Sequence, residues 1–331
     1  MVQITNPDNM YDVITIGSAF QDLYLFSKNF RIIKDRQSPS GEDECFALGS
    51  KIEVETILRE IGGGGTNTAA TFARQGLKVA CLAKIGDDAA GEEIIKTLKK
   101  YNIDSSLMIT DKDQPTALGI FFLAKTGERT ILVYRGASAD FQAKQIPWLK
   151  LKSNWYYVSS LGGNLQVLEK IIAHAKRHGA KVALNPGKTE LAKKTRLLLS
   201  LRKAQVVLLN REEAEMFFGL SGQALLKKVS KVTQGWFVIT DGEHGSWALS
   251  PKSAWKVQIR PVKAMDTTGA GDAFGSGFVA GLIKSPNDLS YALKLGSTNA
   301  AAEVKLIGAK NGLITSRTPL IANLKVQRLR I

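Results

Sequence analysis

The run Asp266-Thr267-Thr268-Gly269-Ala270-Gly271-Asp272 leads straight into an apolar, small-residue stretch at residues 273–282. Gly269, Ala270 and Gly271 are small enough for a turn whose backbone N–H groups point one way, and the residues that follow have helical composition. Bare amides at a helix N-terminus, backed by the helix dipole, form an anion site. Asp272 stands in that first turn, beside whatever anion docks. A carboxylate able to take a proton, next to a nest that holds developing negative charge, points to phosphoryl transfer. The structural alternative is a tight loop that only opens a helix. Two carboxylates bracketing Thr-Thr-Gly-Ala-Gly favour the functional reading.

Outward from this stretch, short apolar runs alternate with amphipathic helical patterns. Residues 11–17, 79–83, 155–158, 181–184, 206–209 and 236–240 read as strands, and 67–75, 92–101, 166–178 and 212–218 as helices. This rhythm predicts βαβ units and a parallel sheet with helices on both faces. Ligands of such sheets sit beyond the carboxyl ends of the strands. Gly17, Asn185, Asn210 and Asp241 all follow a predicted strand and so converge on one edge. Two stretches break the rhythm. Residues 45–58 alternate in the β manner, and 117–123 with 130–134 read as a hairpin around Thr126-Gly127-Glu128. The tail from Thr315 onward is basic and takes no assignment.

At 331 residues and 44% hydrophobic content, the chain can bury a large core as one α/β domain or two smaller ones. No apolar run approaches the ~20 residues a membrane span needs. Residues 1–11 carry Asn, Pro and Asp where a signal peptide is basic and then apolar. Cys45 and Cys81 are too few for a disulfide scaffold and lack metal-ligand spacing. His174 and His178, set among Lys176 and Arg177, read as a solvated helix face, and no third ligand accompanies them. The chain therefore reads as soluble and cytoplasmic. Its net charge of +15 is scattered over Lys99-Lys100, Lys193-Lys194, Arg202-Lys203 and Lys227-Lys228. None of these clusters interleaves with aromatics, so a generally basic surface is favoured over a nucleic-acid platform.

Gly62-Gly63-Gly64-Gly65-Thr66-Asn67 is the second strong signal. Four glycines in a row imply close approach of the backbone to a ligand or to a neighbouring segment. Asn at position 67 breaks the dinucleotide fingerprint, and no Gly-x-x-x-x-Gly-Lys-Ser/Thr loop is present. Asp22, beyond the first strand, is acceptor-only when ionised and suits a polyol. Arg135 can meet a carboxylate or phosphate, or lie on the surface. Asn210 can cap the helix that begins at Arg211.

Together these motifs resemble the ribokinase (phosphofructokinase-B) family of carbohydrate and nucleoside kinases, across residues 10–315. The family's C-terminal signature, Asp-Thr-x-Gly-Ala-Gly-Asp, matches at 266–272. Its N-terminal one, a Gly-Gly pair and then Gly-x-Asn, matches the glycine run, followed by Gly86-Asp87-Asp88. The resemblance implies a doubly wound, mostly parallel α/β fold with a small β-sheet lid inserted from about 45–58 and 117–135, leaving 316–331 as a basic tail. It implies an ATP-dependent kinase acting on a hydroxymethyl group of a sugar, with Asp272 as base and Gly269, Ala270 and Gly271 as anion hole. Asp22, Gly63, Gly64, Asn67 and Arg135 would bind the acceptor. Asn185, Asn210, Thr240, Gly242, Gly245 and Asn299 would bind ATP. Glu213 would hold Mg²⁺ through water, and Asp266 and Thr268, with the loop 304–311, would hold K⁺. A homodimer through the lid follows from the same resemblance.

The chain departs from ribokinases proper at Gly64, where they carry Lys, at Phe20, where ribose-specific relatives carry Asn, and at Leu161-Gly162-Gly163, where a Glu is missing. Glu303 and Lys305 also depart from the usual small or neutral residues. A nucleoside kinase, a kinase for an acidic sugar such as 2-keto-3-deoxygluconate, and a sugar-binding regulatory or nucleic-acid-associated protein remain as alternatives.

Overall fold

The computed structural model describes residues 10–38, 41–123, 129–259 and 261–329. Strand β1 (Tyr11–Ile16) is buried along nearly its whole length, as a central parallel strand must be. After Gly17 come β2 (Phe20–Phe26) and a short exposed hairpin, β3 (Arg31–Lys34) and β4 (Glu42–Cys45). β5 (Thr56–Gly62) runs into α1 (Gly64–Arg74), then β6 (Val79–Leu82), β7 (Lys84–Gly86), α2 (Ala89–Lys100) and β8 (Ile109–Asp111). β9 (Ala117–Leu123) and β10 (Arg129–Tyr134) pair antiparallel.

The doubly wound part continues through β11 (Ser153–Val158), α3 (Leu165–Arg177), β12 (Lys181–Leu184), α4 (Lys188–Leu191) and α5 (Lys194–Leu201). It then passes through β13 (Val206–Asn210), α6 (Arg211–Phe218), α7 (Gly222–Val229) and β14 (Trp236–Thr240). β15 (Ser246–Ser250), β16 (Ser253–Gln258), α8 (Ala270–Lys284), α9 (Leu289–Glu303) and β17 (Lys325–Leu329) complete the described chain.

Nine strands form the main sheet in the order β17-β16-β15-β14-β13-β12-β11-β1-β6. From β6 to β14 neighbours run parallel, and from β14 to β17 they run antiparallel. Alternate residues of β11 feed opposite faces, as strand geometry requires. Tyr156 packs into the cluster that holds Leu168 and Ile171 of α3. Trp155 and Tyr157 enter the other, with Phe72 of α1 and Phe278 of α8. Helices α8 and α9 approach through small residues. A Cβ on Gly281 would stand 2.4 Å from the Ala292 Cα, and one on Gly277 3.0 Å from the Gly296 Cα. That close packing fixes α8 against α9.

The lid is a separate four-stranded sheet, ordered β10-β9-β2-β5, with β2 and β9 parallel. β9 alternates buried and half-buried side chains, and the Tyr24 and Phe121 rings stack between the strands, centroids 4.3 Å apart.

Several expectations need correction. The segment expected as lid strand at 45–58 is β only at its two ends, while β2, to which no element was assigned in sequence, is a central lid strand. The tail is not separate, since β17 pairs with β16 along 325–329 and extends the main sheet beyond residue 315. The Thr126-Gly127-Glu128 turn lies outside the described residues. His174 is no solvated side chain: it is 8% exposed, its Nε2 is 3.1 Å from the Leu151 carbonyl, and its ring lies against Trp148. Among the described residues no helix is long and apolar enough to cross a membrane.

Candidate active site

The two signature motifs meet beyond the carboxyl end of β1. Gly63, the residue before α1, has φ 95°, and a Cβ there would lie 2.5 Å from the Ser18 carbonyl oxygen. Gly65 also packs tightly, a Cβ there standing 3.1 Å from the Gly17 carbonyl carbon, and its N–H donates to the Ser18 carbonyl at 3.0 Å. Of the two readings of the glycine run, close approach to a neighbouring segment is therefore met at 63 and 65. Gly64 differs: a side chain there would point at Ser159 and, at 3.5 Å, at Asp272 Oδ1.

Asp272 sits in the first turn of α8. Its Oδ2 accepts the Asn67 side-chain N–H at 2.9 Å. Burial lifts the carboxyl above the usual carboxylate range, and the Asn67 hydrogen bond and the nearby Lys310 charge pull it back only in part. Gly269 supplies the left-handed turn, φ 92°, and its carbonyl accepts the Ala273 N–H at 2.8 Å. The Ala270 N–H closes the turn on the Thr267 carbonyl at 3.3 Å. Among the described residues no backbone acceptor takes up the Gly271 and Asp272 N–H groups, the orphan amides of a helix start.

Asp22 lies on β2, opposite Gly119 of β9 and Glu60 of β5. Its carboxylate fills the space two glycines leave open, since a Cβ on Gly62 would be 1.9 Å from Oδ2 and one on Gly119 2.6 Å from Oδ1. The group is 6% exposed. Burial dominates its ionisation and pushes it up to about 7; the Lys310 charge opposes this, and Asp266 and Glu60 add to it. Lys310 itself is 3% exposed, donates to the Ile61 carbonyl and, at 2.5 Å, to Asn67 Oδ1. Burial presses its ammonium down to about 8 against the pull of Asp22 and Asp272. Lys310, Asn67 and Asp272 thus form a continuous chain in which the lysine fixes the Asn67 amide and the amide fixes the carboxylate.

Two cavities flank the start of α8. One, of about 240 Å³, is lined by Asn185, Asn210, Glu213, Thr240, Gly271 and Asp272. Asn210 caps α6, accepting the Glu213 N–H at 2.8 Å, while Glu213 Oε2 accepts the Asn210 N–H at 2.9 Å. The capping alternative is thus met without removing either residue from the cavity. Asn185 is steadied by a 3.0 Å bond to the Leu208 carbonyl. The second cavity, about 420 Å³, combines Thr240, Gly242 and Gly245 with apolar Val262, Phe274 and Val304. Its chemistry suits a flat apolar ring next to a glycine-containing turn.

Asp266 clips the loop before α8 to the loop after α9. Its Oδ1 accepts the Thr268 N–H at 2.8 Å and its Oδ2 the Gly308 N–H at 3.1 Å. The Thr268 hydroxyl and both carboxyl oxygens of Glu303 are buried without a hydrogen-bond partner among the described residues. Burial, with Asp266 and Asp272 nearby, pushes Glu303 up to about 9.

Two of the expected site residues, Asn299 and Arg135, line neither cavity. Asn299 is fully buried and faces away from both cavities, bonding the Ala273 carbonyl at 2.8 Å, Thr71 Oγ1 at 3.2 Å and the Ile314 N–H at 3.0 Å. It staples α8, α1 and the segment after α9; Ser297, Ala300 and Ala301 line the cavity instead. Arg135 stands exposed at the end of β10, with no side-chain hydrogen bond among the described residues. Three residues went unread in the sequence: Lys310, Arg129 and Glu190. Glu190 is 2% exposed and accepts the Leu161 and Gly163 N–H groups at 2.7 Å each, placing a carboxylate where Leu161-Gly162-Gly163 lacks one.

Residues 10–316 match the sequence profile of the pfkB family carbohydrate kinases. The chain belongs to this family. It is 27% identical over 273 residues to the ribokinase of Staphylococcus aureus (strain COL), covering 79% of this chain and 88% of the relative. The 5-dehydro-2-deoxygluconokinase of Bacillus subtilis (strain 168) is 26% identical over 330 residues, covering 94% and 95%. A probable sugar kinase from Rhizobium etli CFN 42 superposes with a TM-score of 0.76 at 22% identity, covering 91% of this chain and 95% of that one. The nucleoside kinase of Methanocaldococcus jannaschii does so with 0.73 at 20%, covering 93% and 96%. The kinase is thus a phosphotransferase with an alcohol acceptor, on the ribokinase fold.

Proposed function

We propose that this kinase transfers the γ-phosphoryl group of ATP to a hydroxymethyl group of a neutral sugar. The observation that carries the reading is the placement of Asp272, held by Asn67 at 2.9 Å, at the open start of α8 and on the wall of the cavity that Asn185, Asn210 and Glu213 also line. Asp272 takes the hydroxyl proton, and the amides of the 269–271 turn receive the oxygens of the transferring group. Asp22 and Asn67 orient the acceptor, while Thr240, Gly242 and Gly245 meet the nucleotide.

Glu213 fits a hydrated Mg²⁺: one oxygen is tied to the Asn210 N–H, the other has no partner among the described residues, and Mg²⁺ keeps most of its waters and few protein ligands. Bound there, the ion would neutralise charge between the β- and γ-phosphates.

Charge argues for a neutral acceptor. Asp22, Asp272 and Glu60 surround a single ammonium, Lys310, and Arg135 is turned to solvent, so a sugar carboxylate would enter a net negative site. A nucleoside is the second reading, because Phe20 lies two residues before Asp22 on the same face of β2 and offers an aromatic surface. A homodimer through the lid is supported by the exposed apolar side chains of its edge strands, Ile57 and Leu58 on one and Leu132, Val133 and Tyr134 on the other.

ATP turnover measured across pentoses, hexoses, sugar acids, sugar phosphates and nucleosides tests the reading. Turnover with a neutral sugar supports it. Sugar binding without turnover would instead support a binding protein.

A further inference from the structure

The donor set around Asp266 does not fit the potassium ion that the family resemblance implies. Arg129, the first residue of lid strand β10, reaches across to the loop before α8. Its Nη2 donates to Thr267 Oγ1 at 2.9 Å and its Nε lies 3.9 Å from Asp266 Oδ1. The carboxylate is 1% exposed and the arginine side chain 23%, so this ion pair is largely out of water. Asp266 is the same residue that holds the Thr268 and Gly308 amides.

The guanidinium is therefore already where a cation would neutralise the clip between the two loops. A metal ion added to the same carboxylate would face a fixed like charge at close range in a poorly screened site. On the far side of the loop stands Glu303, whose Oε1 would be 3.3 Å from a Cβ on Gly269, and neither of whose carboxyl oxygens has a hydrogen-bond partner among the described residues. The buried Nε–H of Arg129 makes no hydrogen bond among the described residues, so the carboxylate of Asp266 meets it through charge alone. The loop that presents the amides is thus bounded by polar groups of this chain rather than by the small neutral residues that leave room for an ion.

We propose that Arg129 is the built-in cation of the anion-hole loop, so that this kinase needs no monovalent metal ion and the order of its phosphoryl-binding turn depends on the lid. Arg129 is a positioning residue: it touches Thr267 and Asp266, not the reacting atoms. Because it is borne by the lid, the contact that stiffens the 266–269 turn is made only when β10 lies over the site. This inference rests on the kinase reading for its rate measurement, and on none of it for its stability measurement.

The test compares wild type, Arg129→Met and Arg129→Lys in potassium, sodium and tetramethylammonium chlorides at equal ionic strength. Turnover is read with ATP and an accepted sugar, and the melting temperature is read without substrate. Wild type and Arg129→Lys are expected to be indifferent to the cation in both readouts. Arg129→Met is expected to lose turnover by about tenfold or more. It should recover part of that loss in potassium or on addition of guanidinium, and it should melt higher in potassium than in tetramethylammonium. Wild type that potassium both activates and stabilises would overturn the proposal, as would an Arg129→Met protein with full turnover and no cation response. Should Arg129→Met fail to fold, the wild-type and Arg129→Lys melting curves still decide the matter. Should the chain phosphorylate none of the sugars, those curves decide the cation question while the kinase reading falls separately.

Discussion

The Asn67 side chain donates to Asp272 Oδ2 at 2.9 Å and accepts from Lys310 at 2.5 Å, joining the starts of α1 and α8 through one amide. An amide has one donor and one acceptor end, so the lysine on its oxygen forces its nitrogen toward the carboxylate. Under the proposed reaction, Asn67 thereby orients the base from the acceptor side, and Oδ1 is the oxygen left for the hydroxyl.

Removing the base tests its role most directly. Asp272→Asn keeps the shape and the Asn67 contact while abolishing proton uptake. Turnover is expected to fall by about 10²–10⁴-fold with acceptor affinity little changed. Steady-state kinetics together with calorimetric binding of the acceptor checks this; near-full turnover would remove Asp272 from the chemistry.

Asp22 ties acceptor affinity to pH. Burial raises its carboxyl to about 7, so it is protonated below that value and ionised above it. Only the ionised form accepts hydrogen bonds from two hydroxyls without offering a proton of its own. KM for the acceptor should therefore fall as pH rises from about 6 to 8. Asp22→Ala should raise KM by about tenfold or more, because hydroxyls are left unpaired, and should flatten that pH dependence. A KM profile that is flat in wild type would contradict the assignment.

Lys310 is the charge that keeps Asp272 and Asp22 ionisable despite their burial. In Lys310→Met the stem is replaced at similar volume and the ammonium is lost. The low-pH limb of the turnover profile should move upward by about one pH unit, as loss of a nearby opposite charge shifts a carboxylate. The limb moves up because the protonated acid becomes easier to hold, so activity is lost at a higher pH on acidification. A merely structural lysine would lower the yield of folded protein without moving the limb, and pH–rate profiles separate the two.

What was legible in the sequence was what the backbone dictates locally. The glycines at 269–271 read as a turn and the run at 62–65 as a close backbone approach, the carboxylates and Asn67 stand at fixed offsets from them, and the β–α rhythm gives the parallel part of the sheet. Lys310 was not legible, because nothing between Ala309 and Asn311 shows that a lysine there will be buried 243 residues away against Asn67. Arg129 was hidden for the same reason, since its partner is on another sheet. β2 was not legible because the stretch after Gly17 shows no clear alternation of its own, and it becomes a strand by pairing with β9 and β5. Strand β17 depends on an edge that only the folded β16 supplies.

Asn299 was misread through helix rotation, and that error yields the last prediction. On α9, Ser297, Ala300, Ala301 and Val304 face the apolar cavity, while Asn299 points inward to α8 and α1. Its carboxamide is fully used: the nitrogen serves Thr71 and the Ala273 carbonyl, and the oxygen serves the Ile314 N–H. Asn299→Ala strands buried backbone groups on two other elements, each of which carries a desolvation cost. A stability loss of about 1–3 kcal/mol is expected, read from chemical denaturation, with KM for ATP near the wild-type value. In Ala300→Trp, by contrast, a large side chain enters the cavity that Thr240 and Phe274 line. That variant should weaken ATP with little loss of stability. If Asn299→Ala weakened ATP binding while leaving stability intact, the residue would belong to the nucleotide site after all.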